Sequence, residues 1–181
     1  MSWRGAAAWV AAFAALVAIA NILLAEDLKP KDGPIVATPE AAQTRPRSAR
    51  VMRVVDGDTI VVRDSAGGRT ERVRYIGVDT PETVKEDTPV QCFGREASEF
   101  NHRLVEGKTV RLVPDQEPRD RYGRSLAYVY VGGTFVNAEL IRGGFARTIE
   151  IEPNTGKADY FADLERVAIR TNKGLWKACA R

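Results

Sequence analysis

Apolar and polar positions fall into three regimes along this chain. Gly5 to Ala25 is a run of 21 residues without a charge, dominated by Ala, Leu, Ile, Val, Phe and Trp. At ~1.5 Å per residue, a helix of that length spans about 30 Å, the thickness of a bilayer core. Only Asn21 interrupts it, so it lacks the polar face a soluble helix needs. Residues 26–50 set Pro30, Pro34, Pro39 and Pro46 among scattered charges with no apolar periodicity, the composition of a tether. From Val51 onward the pattern becomes one of short β-branched runs, turn residues and a few amphipathic helices.

Within that last part, Val51–Val55, Thr59–Arg63 and Glu71–Val78 read as strands, with turns at Asp56-Gly57-Asp58 and Ser65-Ala66-Gly67-Gly68. Phe93 to Glu106 repeats Ala97, Phe100 and Leu104 at helical spacing and stops at Gly107. Thr109–Val113 is a further strand, and Leu126–Val131 with Thr134–Val136 forms a hairpin around Gly132-Gly133. Asn137 is placed to cap a short helix through Arg142. Asp159–Thr171 is a last amphipathic helix with Phe161, Leu164, Val167 and Ala168 inward. The pattern predicts a five-stranded Greek-key barrel of the OB type with three helices, preceded by an N-terminal hydrophobic helix. The boundaries are a signal anchor or signal peptide over 1–25, a flexible linker over 26–50 and one domain over 51–181.

Charge sharpens this picture. The chain's net charge of +3 is split between the first fifty residues, at +2, and the rest, at +1. A nearly neutral domain does not bind a polyanion by bulk charge, so any nucleic acid would be held by a few placed cations. Arg4 precedes the apolar run and Glu26-Asp27 follow it, which keeps the N-terminus cytoplasmic and sends the domain across the membrane. Ala18-Ile19-Ala20 offers a cleavage site, so the run reads as an uncleaved anchor or as a removed signal peptide. In either case the domain faces an extracytoplasmic, oxidising space. Two cysteines and one histidine leave no room for a zinc cluster. Cys92 and Cys179, the only cysteines, are expected to pair in such a compartment, the alternative being two separate thiols.

Three polar clusters carry candidate chemistry: Asp56-Gly57-Asp58-Thr59, Arg74 through Thr83, and Asp120-Arg121-Tyr122-Gly123-Arg124. Each alone could be an ordinary turn, helix start or loop. Together they set Asp58, Asp79 and Glu82 beside Arg74 and Arg124 at strand ends. Hard carboxylate oxygens suit Ca²⁺ or Mg²⁺. Guanidinium groups grip phosphate bidentately. A glutamate can orient or deprotonate water. That combination is what hydrolysis of a phosphodiester requires.

These stretches, with Gly94-Arg95-Glu96-Ala97-Ser98, Ser125-Leu126-Ala127-Tyr128, Val136-Asn137 and Gly174-Leu175-Trp176, give a chain that resembles the staphylococcal nuclease (thermonuclease) family over nearly all of Val51 to Trp176. The resemblance implies an OB-type barrel with three helices and Ca²⁺-dependent hydrolysis of DNA and RNA that leaves 3′-phosphate ends. By position it implies Ca²⁺ held by Asp58, Asp79 and the Thr80 carbonyl, and Glu82 as general base or water-orienting residue. Arg74 would bridge the phosphate and stabilise the transition state, and Arg124 would bind phosphate and assist the leaving oxygen. The residues leave open which of the two arginines serves the departing 5′-oxygen. Arg121 and Tyr122 would lie beside a terminal phosphate. A monomer is expected. The rival reading is a catalytically silent module of the same fold that binds nucleic acid or protein.

One departure from the family pattern follows Gly144-Phe145-Ala146-Arg147. Glu150 and Glu152 fall where an aromatic platform for the base is expected, which should weaken stacking and repel phosphate. His102 reads as solvated, as do Glu86 and Asp87. Tyr128 and Tyr130 read as packing residues, and Trp176 as closing the core.

Overall fold

A computed structural model describes residues 45–65, 68–83 and 89–179. The apolar run and nearly all of the tether lie outside these residues. Among the described residues no helix is long and apolar enough to cross a membrane.

The elements in order are strands β1 (Arg47–Val54), β2 (Thr59–Asp64), β3 (Thr70–Tyr75) and β4 (Val78–Asp79), helix α1 (Gly94–Val105), strands β5 (Thr109–Val113), β6 (Ser125–Val131) and β7 (Thr134–Phe135), helix α2 (Val136–Arg142), strand β8 (Arg147–Thr148), and helices α3 (Ala158–Arg170) and α4 (Leu175–Ala178). The main sheet runs β3-β2-β1-β5-β6-β7, and β3 also pairs with β6. That last pairing is parallel, with Val73, Arg74 and Tyr75 opposite Ser125, Leu126 and Ala127, and it closes β1, β2, β3, β5 and β6 into a barrel. Glu71 reinforces the seam, accepting from Ser125 Oγ at 2.6 Å and pairing with Arg47 and Arg119. β4 and β8 form a separate two-stranded ribbon.

The β-branched residues that make the strands also fill the barrel. Ile60, Val62, Val73, Val110 and Val129 are buried together with Tyr75, and Leu140, Ile141 and Phe161 cover them from α2 and α3. Each large aliphatic buried this way contributes about 1.5–3 kcal/mol. In β1 the register to β2 slips between Val51 and Arg53, so Val51 and Val54 both turn inward. The Sγ atoms of Cys92 and Cys179 are bonded at 2.08 Å, closing a separation of 87 residues. In the chain-entropy view, a loop of that size stabilises by roughly 4–5 kcal/mol.

Several details depart from the sequence pattern. β1 begins at Arg47, before the Val51 at which strand character becomes visible. The returning run is not one strand: it turns at Ile76-Gly77, with Gly77 at φ 74°, so Arg74 and Asp79 lie on different strands. Ile76 and Val78 are buried along with Val73 and Tyr75 because that turn breaks the alternation. Phe135, not Asn137, precedes α2. The Asn137 amide is wholly buried, accepting from Val129 N–H and donating to the Ile76 carbonyl at 2.9 Å each. Val167 is 40% exposed, whereas Phe161 and Ala168 carry the inner face of α3. Leu175, not Trp176, is the residue of the C-terminal turn that enters the interior. Trp176 is half-buried beneath the Arg147 guanidinium, 4.4 Å from its ring.

Candidate active site

A cavity of about 100 Å³ at one end of the barrel is lined by Asp56, Asp58, Thr59, Arg74, Asp79, Thr80, Pro81, Glu82 and Arg124. Each wall comes from a different element. Asp56 and Asp58 lie in the β1–β2 turn, Arg74 near the end of β3, Asp79 at the end of β4, and Arg124 just before β6. The closing β3–β6 pairing sets Arg74 opposite Leu126, two residues beyond Arg124, and so brings the two arginines together. The candidate residues Asp58, Asp79, Thr80, Glu82, Arg74 and Arg124 therefore share one cavity. Arg121 and Tyr122 line the groove beside it.

Asp58 is the buried anchor. Its Oδ2 accepts from Thr80 N–H at 2.8 Å and Thr80 Oγ1 at 2.9 Å, and its Oδ1 from Thr59 Oγ1 at 3.1 Å. Gly57 makes this approach possible: a Cβ there would stand 2.6 Å from Thr80 Oγ1. Arg74 Nε lies 3.2 Å from Asp58 Oδ1, and its Nη2 lies 3.2 Å from Asp79 Oδ1. Arg74 Nη1 donates to the Tyr75 and Val78 carbonyls. One guanidinium thus holds both carboxylates and the β3–β4 turn.

Arg124 is carried differently. Asp120 Oδ1 accepts from the backbone N–H groups of Tyr122 and Arg124, both at 2.9 Å, and folds the loop. Asp120 Oδ2 accepts from Arg124 Nε at 2.6 Å. That one bond aims the guanidinium, whose Nη atoms make no ion pair among the described residues. Tyr122 stands 69% exposed, with Arg121 and Arg124 over its ring at 4.8 and 5.5 Å.

Four carboxylates face two guanidiniums here. Burial, and then the nearby charge of Asp58, pushes Asp56 up to about 6. Burial also raises Asp79; Arg74 opposes that rise, while Asp58 and Glu82 add to it. This surplus of negative charge on hard oxygen donors fits a divalent cation such as Ca²⁺. Among the described residues no three Asp, Glu, His or Cys side chains cluster closely enough to chelate an ion unaided. Backbone carbonyl and water oxygens would have to complete its shell.

Two positioning residues are not visible as such in the sequence. Asn101 is wholly buried on α1, accepting from Tyr75 OH at 2.9 Å and donating to the Asp56 carbonyl at 3.0 Å. The only trace is its place between Ala97 and Val105 at four-residue steps. Asp120 sits inside a recognised cluster, but nothing there distinguishes it from a turn residue. The groove of about 490 Å³ next to the cavity also differs from the sequence reading. It is lined by Ile149, Ile151 and Glu152, together with Glu117, Tyr122 and Leu126, and Glu150 is not among its lining residues. His102 pairs with Glu106 at the surface, away from the cavity.

A family model described as staphylococcal nuclease homologue matches residues 72–178. The thermonuclease of Staphylococcus intermedius is 40% identical over 162 residues, covering 90% of this chain and 94% of that protein. The chain belongs to the staphylococcal nuclease family. The thermonuclease of Staphylococcus hyicus is 38% identical over 161 residues, 89% of this chain and 94% of its own. Endonuclease YncB of Bacillus subtilis is 43% identical over 126 residues, 68% of this chain and 59% of its own. This family member's barrel and helices agree with that membership, and the matched segment holds the cavity's residues from Arg74 to Arg124, with Asp56, Asp58 and Thr59 preceding it.

Proposed function

We propose that this protein is a Ca²⁺-dependent nuclease that hydrolyses phosphodiester bonds of DNA and RNA, breaking the P–O5′ bond and leaving 3′-phosphate ends. That it is a nuclease, a hydrolase, follows from its family and from its thermonuclease and endonuclease relatives. The observation that carries the finer reading is the convergence of Asp58, Asp79, Glu82, Arg74 and Arg124 on one cavity.

Asp58 and Asp79, with the Thr80 carbonyl, would hold the ion, which supplies positive charge to the phosphoryl oxygens. Glu82 takes the proton of the attacking water as its oxygen bonds to phosphorus. Arg74 stabilises the charge that builds on the non-bridging oxygens. Arg124 grips the phosphate with its Nη atoms and steadies the leaving 5′-oxygen, which departs with the P–O5′ electron pair and takes a proton from water. Arg121 and Tyr122 bind a neighbouring phosphate. The groove that Arg121 and Tyr122 line also offers Ile149 and Ile151 to a base by apolar contact, while Glu117 and Glu152 offset part of its positive charge.

Cleavage of plasmid and of RNA should stop in EDTA and return with Ca²⁺, with 3′-phosphate on the products. Undiminished cleavage in EDTA, or 5′-phosphate products, would overturn this reading. We further propose that the enzyme works outside the cytoplasm as a monomer, membrane-anchored through residues 1–25 or released if they are cleaved. The charge asymmetry around Gly5–Ala25 and a disulfide that an oxidising compartment would preserve support this. A C-terminal reporter should be active only in its extracytoplasmic form, and cytoplasmic activity would refute the topology.

A further inference from the structure

We propose that Gln91 is the positioning residue of Glu82 and that the Cys92–Cys179 disulfide holds Gln91 in place. The proposal rests on Glu82 as the general base.

Glu82 is fixed at both of its backbone polar groups by one residue. Its N–H donates to Gln91 Oε1 at 2.9 Å, and its carbonyl accepts from Gln91 N–H at 2.9 Å. The two bonds set the peptide planes on either side of Glu82 and hence where its side chain leaves the backbone. Its carboxylate is oriented in turn, with Oε1 accepting from Thr83 N–H at 2.9 Å. The first residue of α1 packs on the same segment. A Cβ on Gly94 would lie 2.8 Å from Thr83 Cγ2, 3.0 Å from the Glu82 carbonyl and 3.1 Å from that of Pro81.

Beyond those two bonds Gln91 has one more, its carbonyl accepting from the Gly94 N–H at 3.0 Å. Val90, Gln91 and Cys92 are all exposed, so the segment has almost no apolar burial to fix it. The neighbouring Phe93 adopts a left-handed φ of 68°, which a bulky side chain resists. Stacking of its ring on Phe145 at 5.6 Å offsets part of that. Hydrogen bonds exposed to water are weak restraints by themselves. The disulfide supplies what burial does not. Cys179 caps α4, whose Leu175 is buried and donates its N–H to the Gly144 carbonyl at 2.8 Å. The bond therefore ties the residue next to Gln91 to a fixed part of the body.

A misplacement of about 1 Å at a reacting group costs up to ~100-fold in rate. Gln91→Met keeps the volume and removes the acceptor; Gln91→Glu keeps an acceptor oxygen. Methionine should lower kcat about tenfold with KM and Ca²⁺ affinity unchanged, and glutamate should restore much of it. The Cys92→Ala/Cys179→Ala pair, assayed well below its melting temperature, should lose kcat by a similar factor. Combined with Gln91→Met it should lose no more than the larger of the two. If the pair does not fold, folded wild-type enzyme reduced with a dithiol takes its place. Equal activities of the Met and Glu variants, a loss confined to KM, or additive losses would overturn the proposal. Glu82→Gln separates the two levels: no effect of that change refutes the base assignment itself, whereas a large effect beside an inert Gln91→Met refutes the positioning alone.

Discussion

Arg74 and Arg124 bring the same charge to the same cavity, yet the molecule holds them in opposite ways. Arg74 is built into the barrel: it pairs with Asp58 and Asp79 and donates to two backbone carbonyls. Arg124 hangs on a loop, steered by Asp120 at a single Nε contact. One arginine braces the fold as well as lining the cavity, and the other is aimed but not braced. The difference teaches that two residues with matching chemistry can have very different stability signatures, and stability measured beside activity can tell them apart.

The largest expected effect tests that contrast directly. Arg124→Lys keeps charge but loses the fork, and should cost about 3–4 kcal/mol of transition-state stabilisation, as loss of a preorganised donor does. Its stability should shift by under ~1 kcal/mol, as for a partly exposed pair. Arg74→Lys should lose comparable activity and also destabilise the fold by about 2–3 kcal/mol, because it strips Asp58 and two carbonyls of a donor. Steady-state kinetics beside urea melts check both. Equal stability losses would erase the distinction.

Asn101→Leu probes the braced side from below. It leaves Tyr75 OH and the Asp56 carbonyl without their partner, so unfolding free energy should drop by about 2–3 kcal/mol. A neutral result in urea melts would mean that the amide braces nothing.

Asp56→Asn should act in the other direction. The folded protein raises Asp56 from 3.8 to about 6, so between those values it binds more protons than the unfolded chain does. Stability therefore falls as pH rises through that window, and the cost is complete above about pH 6. In EDTA the Asn variant should be more stable than wild type by up to ~3 kcal/mol at pH 8. The gap should close below about pH 4, and melting curves at the two pH values check it. A gap that grows on acidification would contradict the assigned cause. Smallest of all, Val167→Lys on the exposed face of α3 should change stability by less than ~0.5 kcal/mol.

Most strands were legible because β-branched runs alternate with Gly, Asp and Ser turns, as around Thr59–Asp64. The carboxylates and arginines of the site stood out because they cluster at those turns. What stayed hidden depends on partners distant in the chain. Asn101 and Asn137 are polar residues whose partners lie 45 and 61 residues away, so at helical positions they pass for solvated or capping groups. Ile149 and Ile151 fall in no recognisable pattern of the sequence, and only the groove shows what they line. The break at Gly77 is hidden because Val78 continues the apolar pattern after the turn.

The parallel pairing that seals β3 to β6 also sets when this chain can act. All of the cavity's lining but Arg124 lies between Asp56 and Glu82 and is synthesised early, whereas Arg124 follows about forty residues later and reaches Arg74 only through a long-range pairing. Contacts of such sequence separation form late, because loop closure must precede them. A nascent or half-folded chain thus holds the acidic residues without the second guanidinium. Activity should appear in refolding experiments only with the closed barrel. An enzyme that degrades nucleic acid would then leave its maker's ribosome while still harmless, with topology itself acting as the safety catch.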